Sequence, residues 1–194
     1  MDPKKKQILL ISPRGFCAGV TRAVDVVLET LKQYGSPVYV KHEIVHNKHV
    51  IRDLEQKGTI FIEDVESVPN DRPLIISAHG VSKKVINASK KNNSITIDAT
   101  CPLVTKVHVQ AQKFFNEGFK IILIGHKNHP EVEGTMGQLA EGSISLIEKI
   151  SDIEKLDFNT EDKMAYITQT TLSVDDTNSI ILELKKRYPN IKSS

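Results

Sequence analysis

The chain has no tryptophan, only two cysteines among its 194 residues and few other aromatic residues. No apolar run approaches the ~20 residues that a membrane-spanning helix needs, and the run at residues 8–11 is too short for a signal peptide. The net charge is only +2, which argues against a nucleic-acid-binding surface. We therefore expect a cytoplasmic protein with no membrane and no nucleic acid among its partners.

The two cysteines occur in similar local sequences, although a structural disulfide between them is not expected in a cytosolic chain. Gly15 and Gly19 allow a tight turn around Cys17, and the helix predicted to follow favours an anionic sulfur. Cys101 also ends a predicted strand just before a helix. Two buried, inert thiols remain an alternative, but the matched settings favour one ligand shared by both cysteines.

Short apolar runs, polar turns and amphipathic helices alternate along the chain. The pattern predicts strands at residues 8–12, 38–41, 60–62, 74–78, 94–98, 120–125, 143–147 and 164–168. Predicted helices cover residues 20–34, 47–56, 83–91, 102–117, 153–156 and 173–188, and a long polar loop at 126–134 precedes another short helix. No strand is expected after the last helix.

This alternation predicts an α/β fold made of two similar doubly wound lobes, with mainly parallel sheets and flanking helices. We place the boundary between residues 97 and 98, so the lobes are residues 1–97 and 98–194. Ligands of such sheets lie beyond the carboxyl ends of the strands. The polar residues that follow predicted strands could therefore face one crevice: Cys17, His46, His79, Cys101, His126, His129 and Thr170.

The residue types in these turns suit an anionic ligand, but they leave the chemistry open. Residues 126–131 contain two histidines, a lysine and a glutamate, which suits phosphate binding and proton transfer and also superficially suits a zinc hydrolase. Thr170 could hydrogen-bond a ligand or simply cap a helix. Two thiolates complete neither a zinc site nor an iron–sulfur cluster. The motifs of common nucleotide-binding sites are absent.

Six sequence blocks, in order, resemble the 4-hydroxy-3-methylbut-2-enyl diphosphate reductase family: residues 13–20, 42–47, 77–82, 98–106, 129–138 and 168–177. The resemblance implies a three-lobed α/β enzyme around a 4Fe–4S cluster. It implies reductive removal of a hydroxyl from (E)-4-hydroxy-3-methylbut-2-enyl diphosphate, the last step of the methylerythritol phosphate route to isoprenoids. The implied products are isopentenyl and dimethylallyl diphosphate, and the implied electron donor is a ferredoxin or a flavodoxin.

The resemblance also assigns expected roles to single residues. Cys17 and Cys101 match two of the family's three cluster ligands, and Glu131 matches the acid that delivers protons. The remaining matches are to residues that hold the substrate: His46, His79, His129 and Thr170. The third cysteine and a serine/asparagine diphosphate motif belong to the family's third lobe, so we expect the chain to be truncated and that cysteine to lie beyond Ser194. A zinc-dependent hydrolase and a non-catalytic diphosphate-binding module remain the alternatives.

Overall fold

The strands of the computed structural model, which describes residues 8–92 and 95–193, form two sheets of four parallel strands. The first sheet consists of β1 (Val38–Lys41), β2 (Thr59–Ile62), β3 (Leu74–Ile76) and β4 (Thr96–Asp98). The second consists of β5 (Lys120–Ile124), β6 (Ile144–Ile147), β7 (Met164–Thr168) and β8 (Lys192–Ser193). Their orders, β2-β1-β3-β4 and β6-β5-β7-β8, are equivalent. The predicted fold of two similar parallel α/β lobes is therefore confirmed.

The helices also lie close to their predicted positions. In the described residues they are α1 (Ala18–Tyr34), α2 (Lys48–Gln56), α3 (Lys83–Asn92), α4 (Pro102–Asn116), α5 (Pro130–Met136) and α6 (Val174–Arg187). Two 3-10 helices, Val65–Ser67 and Ile150–Lys155, complete the set. The second of these replaces the short helix predicted at residues 153–156.

Strands β3, β5 and β7 are mainly apolar because helices cover both faces of each sheet. In β5, Ile122 belongs to the same buried cluster as Leu184 of α6. Its neighbour Ile121 belongs to a second cluster with Phe114 of α4. Successive side chains of a strand point to opposite faces, so a continuous apolar run fills two cores at once.

In each sheet the strand order reverses next to the first strand, and the candidate residues follow the strands at that point. The second strand of each sheet pairs with one side of the first strand, and the third strand pairs with its other side, so β1 pairs with β3 and β5 pairs with β7. All strand pairs in the described residues are parallel, so the carboxyl ends of each sheet lie along one edge. Loops that follow β1, β3, β5 and β7 can therefore converge.

Three predictions about local structure were wrong. Residues 8–12 form no strand: the side chains of residues 8–11 are 71% to 84% exposed, and no described strand pairs with them. The polar loop after β5 is shorter than expected, because Pro130 is well suited to open a helix and α5 starts there. A strand does follow the last helix: β8 pairs with β7 beside the buried Ile191.

The predicted lobe boundary between residues 97 and 98 stays a prediction. The last strand of the first sheet ends at Asp98, and the helix that packs on the second sheet begins at Pro102. The predicted start of this strand, residue 94, lies outside the described residues. None of the helices in the described ranges combines the length and apolar character needed to cross a membrane.

A buried histidine of α4 predicts acid-sensitive stability. Burial lowers the pKa of His108 to about 4, and the charge of Asp98 only partly opposes this. Within the described chain, its Nε2 has no hydrogen-bond partner. His108 of the unfolded chain therefore binds a proton as the pH falls through 6.5, whereas His108 of the folded chain binds one only at about pH 4. The stability of the fold consequently falls as the pH drops from 6.5 toward 4.

Between pH 7 and pH 5, we expect the wild type to lose about 2 kcal/mol more stability than His108→Leu. Urea unfolding at the two pH values measures this difference. His49→Gln supplies the control, because it removes an exposed histidine and leaves the buried His108 in place, so the acid sensitivity due to His108 should remain. The same loss of stability in wild type and His108→Leu would rule out this origin.

Candidate functional site

One cavity of about 340 Å³ collects most of the residues singled out from the sequence. Residues from both halves of the chain line it, including Cys17, His46, His79, Cys101, Glu131 and Thr170. His129 lies at its edge, with Nε2 3.1 Å from Nε2 of His46. His126 does not join them: it lines a separate cavity beside Glu148. The structure thus brings together the seven residues to which the family resemblance assigns a role, and His126 is not among them.

The two thiols face the same point near the start of α1. A Cβ placed on Gly19 would lie 2.8 Å from Sγ of Cys101 and 3.8 Å from Sγ of Cys17. Both cysteines are free thiols, each immediately preceding a helix. Glycine at position 19 therefore leaves the space between the sulfur atoms open, as the shared-ligand hypothesis requires.

Hydrogen bonds from three elements hold the Cys101 turn. Its backbone N–H donates to the carbonyl of Ala78, at 2.9 Å. The carboxylate of Asp98 accepts the N–H of Thr100 at 2.8 Å, and Arg22 of α1 donates to the Thr100 carbonyl at 3.1 Å. The thiol is consequently placed by β4, the loop after β3 and α1 together.

Three imidazoles form a compact cluster beside the thiols. The ring centres of His46 and His79 lie 4.3 Å apart, those of His46 and His129 5.0 Å, and those of His79 and His129 5.7 Å. Burial, together with the smaller effects of the charges on His46, His129 and His42, lowers the pKa of His79 to about 3. Burial and the neighbouring His46 and His126 also lower the pKa of His129.

These shifts indicate that the cluster suits an anion. His79, with a pKa of about 3, is neutral at pH 7. An anion in the cavity would favour the protonated rings and raise their pKa values, because opposite charges stabilise each other. Protonated imidazoles would then offer charge-assisted hydrogen bonds to phosphate oxygens.

A buried carboxyl group faces the histidines from the second half of the chain. Glu131 is 1% exposed and lies in the first turn of α5. Its Oε1 accepts the N–H of Thr170 at 2.6 Å, and its Oε2 accepts the Thr170 hydroxyl at 2.9 Å. Burial raises the pKa of Glu131, while the Thr170 hydrogen bonds and His46 oppose the rise. The group is therefore suited to hold and release a proton.

Several residues in and around the site were not identified from the sequence. Gln169 is 4% exposed, accepts the N–H of His126 at 2.9 Å and donates to the hydroxyl of Thr171 at 2.8 Å. Thr171 itself lines the cavity. The only sequence signal was the polar stretch 168–171, from which Thr170 alone was chosen.

His42 has a different environment from His46, four residues later. Its backbone has φ 61°, and its Nδ1 lies 2.8 Å from Oε2 of Glu63. The buried Lys41 also donates to Glu63, at 3.0 Å. The two histidines share no helical face, because residues 42–47 form a loop between β1 and α2.

Among the described side chains, no group of three or more histidine, cysteine, aspartate and glutamate residues is arranged to hold a metal ion. Two thiols that face one point fit two positions of a larger ligand set. They would need at least one further ligand for an iron–sulfur cluster.

The fold and this cavity define a class: a doubly wound α/β protein with a thiol- and imidazole-lined ligand site at the carboxyl ends of its strands. The family described as LytB protein matches residues 8–194, and the chain belongs to that family.

Relatives of known name support this membership. The chain is 56% identical over 182 residues to a 4-hydroxy-3-methylbut-2-enyl diphosphate reductase of Hyphomonas neptunium, covering 94% of this chain and 58% of that protein. It is 54% identical to the protein of the same name from Beijerinckia indica, covering 98% of this chain and 60% of the relative. The chain thus spans about 58% to 60% of the length of these relatives.

A solved structure shows the same fold. The E-1-hydroxy-2-methyl-but-2-enyl-4-diphosphate reductase from Plasmodium falciparum superposes with a TM-score of 0.91 at 49% identity. The match covers 94% of this chain and 57% of that one.

Proposed function

We propose that the chain is the substrate-binding and proton-delivering part of a 4-hydroxy-3-methylbut-2-enyl diphosphate reductase. The reaction removes the allylic hydroxyl of (E)-4-hydroxy-3-methylbut-2-enyl diphosphate and gives isopentenyl and dimethylallyl diphosphate. The observation that carries the proposal is the single cavity lined by two imidazoles, a buried glutamate and two thiols, with a third imidazole at its edge. The names of the relatives support the same reaction.

The imidazoles bind the diphosphate in this proposal. The ring centres of His46, His79 and His129 lie 4.3 to 5.7 Å apart. Burial lowers the pKa of His79 and of His129, so it disfavours the charged forms of these two rings until an anion enters. Diphosphate binding should therefore take up protons, and affinity should fall as the pH rises above neutral. No carboxylate needs to be displaced, because Glu131 is already held by Thr170.

The proton comes from Glu131. The reaction consumes two electrons and two protons: one proton leaves with the hydroxyl as water, and the other joins one of two allylic carbons. Protonation at either carbon explains two isomeric products. Glu131 Oε2 is hydrogen-bonded to the Thr170 hydroxyl, so this pair can pass a proton into the cavity.

Cys17 and Cys101 would hold two corners of a 4Fe–4S cluster, with the third cysteine outside this chain. When bound, such a cluster supplies the two electrons and a Lewis-acidic iron. A ferredoxin or flavodoxin would donate the electrons. Two free thiols suit the reducing cytoplasm, which is where we place the reaction.

Titration calorimetry on the chain tests the substrate-binding part. We expect binding of (E)-4-hydroxy-3-methylbut-2-enyl diphosphate and of inorganic pyrophosphate, but not of the alcohol that lacks the diphosphate. His46→Ala should weaken both, and His49→Ala in α2 is the exposed control that should not. Equal affinity for the alcohol and the diphosphate would contradict the assignment of the histidines.

Iron, sulfide and zinc analysis after anaerobic purification separates the remaining alternatives. Iron with acid-labile sulfide supports the reductase. Stoichiometric zinc without sulfide would support a zinc-dependent hydrolase instead. A metal-free protein that still binds the diphosphate would be a non-catalytic binding module.

A further inference from the structure

Through backbone atoms, the segment from the His79 turn to the start of α3 contacts α5, which carries Glu131, and the residue that follows α5. The N–H of Lys83 donates to the carbonyl of Gly137 at 3.1 Å. A Cβ placed on Gly134 would lie only 3.2 Å from the carbonyl carbon and oxygen of Gly80. The lack of a side chain at position 134 therefore lets α5 lie directly on the residue next to His79.

A buried side-chain amide is hydrogen-bonded to both sides of this contact. Gln138 is 8% exposed, and its Nε2 donates to the carbonyls of Val81, at 2.8 Å, and Gly134, at 2.9 Å. Its Oε1 accepts a hydrogen bond from Gln112 of α4, at 3.3 Å. Both amide protons are used, and one of them crosses from the second half of the chain to the first.

The connected segments carry opposite sides of the site. Val81 follows His79 by two residues, in the turn after β3. Gly134 lies in α5, three residues after Glu131, and His129 caps the same helix by accepting the N–H of Glu131 at 3.1 Å. A shift of α5 along this contact would move His129 and Glu131 together relative to His79.

We propose that Gln138 is a positioning residue that sets the distance between His79 on one side of the cavity and His129 with Glu131 on the other. Its two donated hydrogen bonds go to the Val81 and Gly134 carbonyls, and it acts on the imidazoles through these carbonyls. The part of the proposal that concerns diphosphate affinity rests on the proposed function. The part that concerns the histidine geometry does not.

Two variants disturb the contact in different ways. Gln138→Met keeps the length of the side chain but removes both donors. Gly134→Ala keeps every hydrogen bond and favours the helix, but it places a methyl group against the Gly80 backbone. The second variant decides the question if the first does not fold. Gln112→Met is the matched control, because it removes an amide bonded to Gln138 but leaves both hydrogen bonds from Gln138 to Val81 and Gly134 in place.

The direct measurement is the nuclear Overhauser effect between the ring protons of His79 and His129, whose planes meet at 82°. We expect it to weaken in folded Gln138→Met and Gly134→Ala and to persist in Gln112→Met. Pyrophosphate affinity should fall about tenfold in the first two variants, because small displacements of binding groups are costly. A role in stability alone would lower the melting temperature without changing the effect between the rings.

The two proposals fail in different ways. Unchanged ring-to-ring effects in both folded variants would overturn the positioning role of Gln138. Absence of pyrophosphate binding in the wild-type chain would instead count against the proposed function, while the ring measurement would still decide the role of Gln138.

Discussion

We expect Glu131→Gln to lower reductive turnover by about 100-fold to 10,000-fold, the usual contribution of a positioned proton donor. The measurement needs a protein in which this chain is extended by the part that its relatives carry in addition. The variant should fold normally, because the new amide oxygen can accept the N–H of Thr170 and the new amide nitrogen can donate to the Thr170 hydroxyl. In the wild type, both of these Thr170 groups donate to the carboxylate. Loss of turnover should therefore occur without loss of stability, bound iron or diphosphate affinity.

Glu133 provides a matched control for this experiment. It lies two residues further along α5 and is exposed, whereas Glu131 is 1% exposed. Glu133→Gln should retain wild-type turnover. A Glu131→Gln enzyme with normal rates would remove this residue from the proton path, whatever its position in the cavity.

The second large effect is expected from the thiols. In the same extended protein, Cys17→Ser and Cys101→Ser should each reduce bound iron to background, because three cysteines are the smallest thiolate set expected for the cluster. In the present chain, phenylarsine oxide, which bridges neighbouring thiols, should bind the wild type and neither variant. The geometry supports this expectation, since both sulfur atoms lie within 4 Å of one point beside Gly19.

Gly19→Ala separates the space between the thiols from the thiols themselves. It keeps both sulfur atoms and favours α1, but its methyl group would lie 2.8 Å from Sγ of Cys101. We expect much less iron in this variant and normal iron in Thr21→Ala, an exposed change in the same helix. Full iron content in Gly19→Ala or in either serine variant would contradict the proposed ligands.

Periodicity was a good guide to the bounds of several strands. The bounds of β1 and β7 match the prediction at both ends, because each is a mainly apolar run between polar turns. It failed at residues 8–11, which are as apolar as a buried strand but contact no described strand. An apolar run shows that a segment can be buried, but not whether a neighbouring strand is available.

The candidate site was predicted in the same uneven way. Cys17, Cys101, Glu131 and Thr170 were recognisable from local motifs, and the structure places them in one cavity. Gln138 could not be recognised as an interlobe contact, because its main partner is the carbonyl of Val81. Every residue has a backbone carbonyl, so the sequence does not show which distant side chain donates a hydrogen bond to a given carbonyl.

The sequence by itself determined the parallel α/β lobes and the chemical types of the residues at the ends of their strands, because both depend on local periodicity and turn composition. Only the tertiary structure decided that His126 turns away, that His79 is buried among other imidazoles, and that Gly134 lies against Gly80. Burial, pKa shifts and close backbone contact all depend on which distant segments meet, and that is settled when the two sheets and their helices pack together.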